Sequence, residues 1–128
     1  GYLSVYNGIL EDKPKDFALI INYSAFVKLI DERDEREWVQ KRIKLGIQFR
    51  WLDFDSEEMR RERDKKEMLR EIKFLPDEFR CSGGVFMYKH KLIFLSTDEE
   101  FMAIVIENEE FALLGLMIFE MRWRFVGK

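Results

Sequence analysis

The sequence predicts an α/β fold with a mixed sheet, in the order β-α-β-α-β-β-β-β-α. Three observations carry this. FALIIN (17–22) and IQFRWLDF (47–54) are short apolar runs separated by a long charged segment with helical periodicity, the pattern of strands joined by crossover helices. GVFMY, KLIFLS and FMAIVIEN (84–108) follow one another across tight polar turns and read as an antiparallel meander. The chain then closes on EEFALLGLMIFEMRWRFV (109–126), a helix apolar on nearly every side. A second half without crossover helices excludes a Rossmann repeat. At 128 residues, with no internal repeat or linker, the chain reads as one domain, 1–128.

The elements follow in order. YLSVYNGIL (2–10) places Leu3, Tyr6, Ile9 and Leu10 near helical spacing, and EDKPKD (11–16) is a polar connection. FALIIN is apolar at consecutive positions, as a strand buried on both faces requires. In residues 24–46 Phe26, Val27, Ile30, Trp38, Val39, Arg42 and Ile43 keep a helical stripe; Ser24 is a candidate N-cap and Gly46 a candidate C-terminal stop. The charged DERDERE within it predicts a solvated turn or a break between two helices. In 47–54, Ile47, Phe49, Trp51 and Asp53 share one face of a strand, and Gln48, Arg50, Leu52 and Phe54 the other. Residues 55–71 predict an exposed helix, capped by Asp55 or Ser56, and 71–76 a short strand stopped by Pro76. Residues 77–84 are loop.

Composition narrows the function classes. The chain is 47% hydrophobic and 37% charged, which excludes disorder, and its net charge of −3 argues against nucleic-acid binding by the whole surface. The basic run RRERDKK (60–66) has acidic neighbours and reads as a solvated helix face. One cysteine, Cys81, excludes an internal disulfide and fits a reducing, cytoplasmic setting. No apolar run is long enough to cross a bilayer. The first residue is Gly1, which reads as the mark of a piece excised from a longer protein.

Two stretches carry the letters of catalytic motifs. KHKLIFLSTD (89–98) has the residue types of the phospholipase D motif His-x-Lys-x-x-x-x-Asp. That motif sets His and Lys two apart, so both point to one face of a strand. Here His90 and Lys91 are adjacent and diverge, Asp98 falls eight residues after His90, and the chain has one histidine in all. Placing the motif's Asp in the hairpin turn puts Gly83, Val85 and His90 at its three positions, so His90 reads as a turn residue. DFDSE (53–57) resembles the nucleophile motif of haloacid-dehalogenase phosphatases, with Glu57 where that motif has Thr or Val. A Mg²⁺-dependent phosphoesterase built on Asp53 and Asp55, with His90, is the competing expectation. A protein–protein adaptor without a ligand is the third.

KRIKLGIQFRWLDFDSE (41–57), REIKFLPDEF (70–79) and residues 85–123 together resemble the C-terminal domain of TrmB-like transcriptional regulators. The match rests on Arg42, Gly46, Ile47 and Arg50, on Arg70, Glu71, Phe74, Leu75 and Pro76, and on Tyr88, Ile106, Glu107, Phe119 and Trp123. In that family a winged-helix DNA-binding domain precedes a phospholipase-D-like domain that has lost its catalytic residues. The resemblance implies a phospholipase-D-like sandwich with no enzymatic activity, cofactor or metal. It implies a homodimer, a small-molecule effector that is sugar-like in the family, and DNA contact only through a winged helix absent from these residues. It involves no membrane. Residues 1–16 then read as a lead-in helix and connection from a missing N-terminal domain. No sugar-contacting position carries over.

The closing helix is where pairing is expected. Phe111, Leu114, Met117, Ile118, Met121 and Phe125 form the face expected on the sheet. Leu113, Leu116, Phe119, Trp123 and Val126 are left pointing elsewhere, to be covered either by a partner subunit or by the helix at 2–10 or the loop at 77–84; in the first case Leu116, Phe119 and Trp123 are the expected dimer interface.

Overall fold

A computed structural model describes residues 1–98 and 100–125. One six-stranded mixed sheet organises them, in the spatial order β3-β2-β1-β4-β5-β6. Helix α1 (Tyr2–Asp12) leads into β1 (Asp16–Ile21); α2 (Tyr23–Phe26), a 3-10 turn and α3 (Glu32–Lys44) lead to β2 (Gln48–Phe54). Helix α4 (Glu57–Asp64) precedes β3 (Arg70–Leu75), and a second 3-10 turn precedes β4 (Gly84–Tyr88). Strands β5 (Lys91–Leu95) and β6 (Ala103–Glu107) complete the meander, and α5 (Glu109–Phe125) closes the fold.

The predicted strand order holds throughout. β1, β2 and β3 are parallel, and β4 joins β1 antiparallel, so the sheet changes sense at its centre. β4, β5 and β6 form the antiparallel meander. Because successive side chains alternate, each strand feeds two cores. Phe17, Leu19, Phe49, Trp51, Ile72 and Phe86 point to the side covered by α1–α4, where Tyr6, Ile9, Phe26, Trp38 and Met59 meet them. Ala18, Leu52, Met87 and Leu92 point to the other side, where Phe119 and Trp123 of α5 cover them. Helix α1, expected as a lead-in, is part of the first core through Tyr2, Tyr6 and Ile9. The two faces of β2 partition as the alternation predicts.

Three local expectations are corrected. The cap at the start of α2 is Asn22, whose side chain accepts from the Ala25 N–H, and not Ser24. The break in 24–46 falls at Ile30–Asp31, before the acidic cluster: Asp31 accepts from the N–H groups of Arg33 and Asp34, so Glu32, Asp34 and Glu35 occupy the first turn of α3. Carboxylates are stabilised there by the helix dipole, which draws the acidic run into the helix. The helix expected over 55–71 spans only Glu57–Asp64, capped by Ser56 through the Met59 N–H. After it the backbone turns left-handed at Glu67 and Leu69, and no α-helix passes through such residues. Gly46 does end α3, at φ +72, a conformation glycine adopts without a Cβ penalty. Val126 lies outside the described residues.

Candidate functional site

The hairpin letters do not assemble into a site. His90 is exposed in the β4–β5 turn. The Lys91 ammonium pairs with Asp12 at 2.6 Å and with Glu107 at 3.6 Å, and Tyr88 donates to the same Asp12 carboxylate at 2.7 Å. These bonds hold the Asp12 carboxyl below its usual range and tie the end of α1 to the hairpin. Asp98 is exposed beyond the far end of β5. The three groups therefore sit apart, each with a local role or in solvent.

Asp53 and Asp55 are also separated in environment. Asp53 is 1% exposed, and its two oxygens accept from the backbone N–H groups of Tyr23 and Phe54. Asp55 is half exposed and is gripped through both oxygens by Arg60, at 2.7 and 3.1 Å. The phosphoesterase expectation needs both carboxylates open to one ion, and here backbone donors occupy one and a guanidinium the other. Among the described residues no group of three His, Cys, Asp or Glu is arranged to hold a metal. The basic run 60–66 is likewise engaged locally, as Arg60–Asp55, Arg61–Glu57, Arg63–Asp64 and Lys65–Glu62.

Asp53 has a measurable consequence. Burial pushes its carboxyl from 3.8 up to about 6, against the opposite pull of its two backbone donors. An acid that holds its proton more tightly when folded favours the folded state at low pH. Its contribution is full below the unfolded pKa, falls as pH rises from 3.8 to about 6, and is then flat. The span amounts to about 3 kcal/mol. Urea midpoints followed from pH 3.5 to 7.5 should show that the stability of Asp53→Asn, relative to the parent, climbs across this window. A parallel pair of curves would show that Asp53 does not titrate there.

On the α1–α4 side of the sheet the structure builds a chamber with a volume of about 260 Å³. Its floor is Phe17, Phe49, Trp51 and Phe86 from three strands, and its walls include Tyr6, Phe26 and Trp38 from three helices. Tyr6 stacks on Trp38 at 4.3 Å, and Trp38 donates its indole N–H to the Tyr6 carbonyl at 2.8 Å, so this wall is fixed by its own contacts. Around the aromatic surface stand ionic groups. Arg42, fully buried, donates to the carbonyls of Ile47, Met68 and Leu69 and lies 4.7 Å from the Phe49 ring centre. Loss of hydration pulls its guanidinium down to about 10, helped by the neighbouring Arg70 charge. Arg70 pairs with Glu62 at 2.9 Å, and Lys65 with Glu62 at 2.6 Å, which hold the Glu62 carboxyl below its usual range against the cost of burial. Glu35 accepts from the Tyr23 hydroxyl, and burial raises its carboxyl. Sequence reasoning missed this chamber, although Arg42 on an otherwise apolar stripe was the signal.

The opposite side of the sheet overturns the expected helix orientation. Phe119, 1% exposed, and Trp123, 7% exposed, pack on the sheet, with Leu116 partly buried beside them, so they are not the open face. Arg50 of β2 fixes the arrangement: it grips Glu120 through two bonds of 2.6 and 2.8 Å and lies over the rings of Phe119 and Trp123. The face expected on the sheet is the one in solvent: Phe111, Leu114, Met117, Ile118, Met121 and Phe125 are each at least half exposed.

This fold has a counterpart of known structure. TrmBL2, an archaeal chromatin protein with a novel mode of DNA binding, superimposes with a TM-score of 0.66 at 14% identity, over 99% of this chain and 47% of that one. The likeness is one of fold. The chain thus spans about half the length of that relative. No protein-family model matches the sequence, and no curated protein does. No described helix is long and apolar enough to cross a membrane.

Proposed function

We propose that this chain is the regulatory half of a TrmB-like transcription regulator: a catalytically inactive phospholipase-D-like domain that pairs with a second copy and takes a small effector. DNA would be read by a winged-helix domain elsewhere in such a cytoplasmic regulator. The fold shared with a DNA-binding chromatin protein supports the class. The outer face of α5 is the observation that carries the reading. Phe111, Leu114, Ile118, Met121 and Phe125 recur at spacings of three and four, the a and d positions of a helix-pairing seam, and all are exposed. Glu109 and Glu110 stand at one end of this helix and Arg122 and Arg124 at the other. A second copy laid antiparallel brings each acidic end against a basic end, whereas parallel pairing would juxtapose like charges. Two-fold pairing then sets the spacing of two DNA-reading heads, and an effector that prefers one arrangement shifts their fit to DNA.

Sedimentation of the native chain against Ile118→Glu combined with Met121→Glu tests the pairing. The native chain is expected as a dimer in the micromolar range, and the double variant as a monomer that melts cooperatively. A native chain that stays monomeric at high micromolar concentration defeats the reading.

A further inference from the structure

We propose that the chamber between α1, α3 and the sheet is a site for a small planar aromatic carboxylate. The proposal rests on the effector half of the reading above and names the ligand's chemistry. Shape and wall composition come first. A space of about 260 Å³ faced by Phe17, Phe49, Trp51, Phe86, Tyr6 and Trp38 suits one fused ring system of roughly ten ring atoms.

Polar satisfaction comes second, and it sets this site apart from a sugar site. A sugar needs free donors and acceptors around its whole rim, because each hydroxyl left against an aromatic wall loses its water. Here the buried charged groups are already engaged by other protein groups. Arg42 spends its terminal nitrogens on three carbonyls, Glu62 is held by Arg70 and Lys65, and Glu35 by Tyr23. The atoms left without a partner among the described residues, Glu35 Oε2, Arg42 Nε and Arg70 Nε, are sealed from solvent.

Charge comes third. Four cations line the chamber (Arg36, Arg42, Lys65 and Arg70) against two carboxylates, Glu35 and Glu62. Arg42 has carbonyls around it and no carboxylate bonded to it, so its charge is uncompensated. It lies over Phe49 and beside Trp38, rings that are themselves chamber wall. A buried charge is poorly screened, so its field extends through those rings to whatever stacks on them. Arg36, paired with Glu32, and Lys65, paired with Glu62, are exposed and stand where the carboxylate of a stacked ligand would meet solvent and compete for them.

The test is calorimetric titration of the full chain with three probes: indole-3-carboxylate, indole-3-carboxamide and maltose. The carboxylate is expected to bind at least tenfold tighter than the amide, and maltose not at all. Val39→Trp, which adds a ring at a partly buried wall position, should abolish carboxylate binding. Should that variant fold poorly, Lys65→Glu, at an exposed position paired with Glu62, should erase the preference for the carboxylate over the amide in a chain that still melts cooperatively. Equal affinity for acid and amide, preference for maltose, no binding of the carboxylate at millimolar concentration, or a carboxylate preference untouched by Lys65→Glu would each overturn the proposal. The Ile118→Glu, Met121→Glu monomer should keep the site. Failure of binding in an intact dimer therefore removes the ligand class alone, and a monomeric chain that binds removes the pairing alone.

Discussion

Replacing Arg42 by methionine is expected to cost about 3 kcal/mol of folding stability and to release the segment that follows α4. The segment from Lys65 to Leu69 has no regular structure and carries two left-handed residues, Glu67 and Leu69. It stays against the sheet because the Arg42 guanidinium reaches out from α3 and donates to Met68 and Leu69 of this segment and to Ile47 beside it. Hydrogen bonds from a charged donor contribute about 1.5–3 kcal/mol each. Against them stands the cost of keeping the charge dry, seen in a pKa pulled down from 12.5 to about 10 and worth roughly 3 kcal/mol. The bonds outweigh it. Methionine restores most of the volume and none of the donors, so the Ile47 and Met68 carbonyls lose a partner. Lysine keeps the charge but offers one nitrogen where two are used, and should fall in between. Urea unfolding gives the magnitude. Amide exchange gives the location: residues 65–70 should exchange faster in Arg42→Met while the meander strands change only with global stability. Unchanged exchange there would mean that the segment is held by the Arg70–Glu62 pair instead.

What the sequence made legible, and what it hid, divides along the range of the interactions. Every strand was visible, because FALIIN, IQFRWLDF, EIKFLP and the three meander runs each contain their own periodicity or punctuation. Gly46 was visible as a stop for the same reason. Caps were misassigned where two candidates stood close, as with Asn22 and Ser24, since the choice depends on how the preceding strand delivers the chain. The chamber was invisible as a site. Its residues come from positions 6, 17, 38, 49, 62 and 70, and only the parallel pairing of β1, β2 and β3 brings those elements together. Several positions that carry the family resemblance turn out to have structural tasks: Arg42 clasps the 65–69 segment, Arg50 joins β2 to α5, and Gly46 supplies a left-handed turn.

Phe119→Ala should cost about 3–5 kcal/mol, the range for emptying a buried aromatic site, and should do so in the monomer. The sequence offered two apolar faces of α5 and no amphipathic contrast to choose between them. Two small residues decide it. Ala112 and Gly115 lie on the same side as Phe119 and Trp123, and a Cβ on Gly115 would come within 2.8 Å of the Leu92 side chain, so this is the side where the helix backbone approaches the sheet. Large residues then fill the space that the small ones leave: Phe119 stacks on Trp123 with ring centres 5.6 Å apart, beneath the Arg50 guanidinium. Truncating Phe119 empties this layer and also strips the Arg50–Glu120 pair of the ring it rests on. Leu114, on the outer face, is 53% exposed, and its truncation should leave the unfolding of a monomer within about 0.5 kcal/mol. The comparison is made in the Ile118→Glu, Met121→Glu background, where unfolding is independent of protein concentration and pairing adds nothing. There Phe119→Ala must lower the urea midpoint at unchanged slope. Were Phe119→Ala instead to dissociate the proposed dimer while leaving the monomer's unfolding untouched, the helix would have to be turned about its axis, with its a and d residues against the sheet and Phe119 between the two copies.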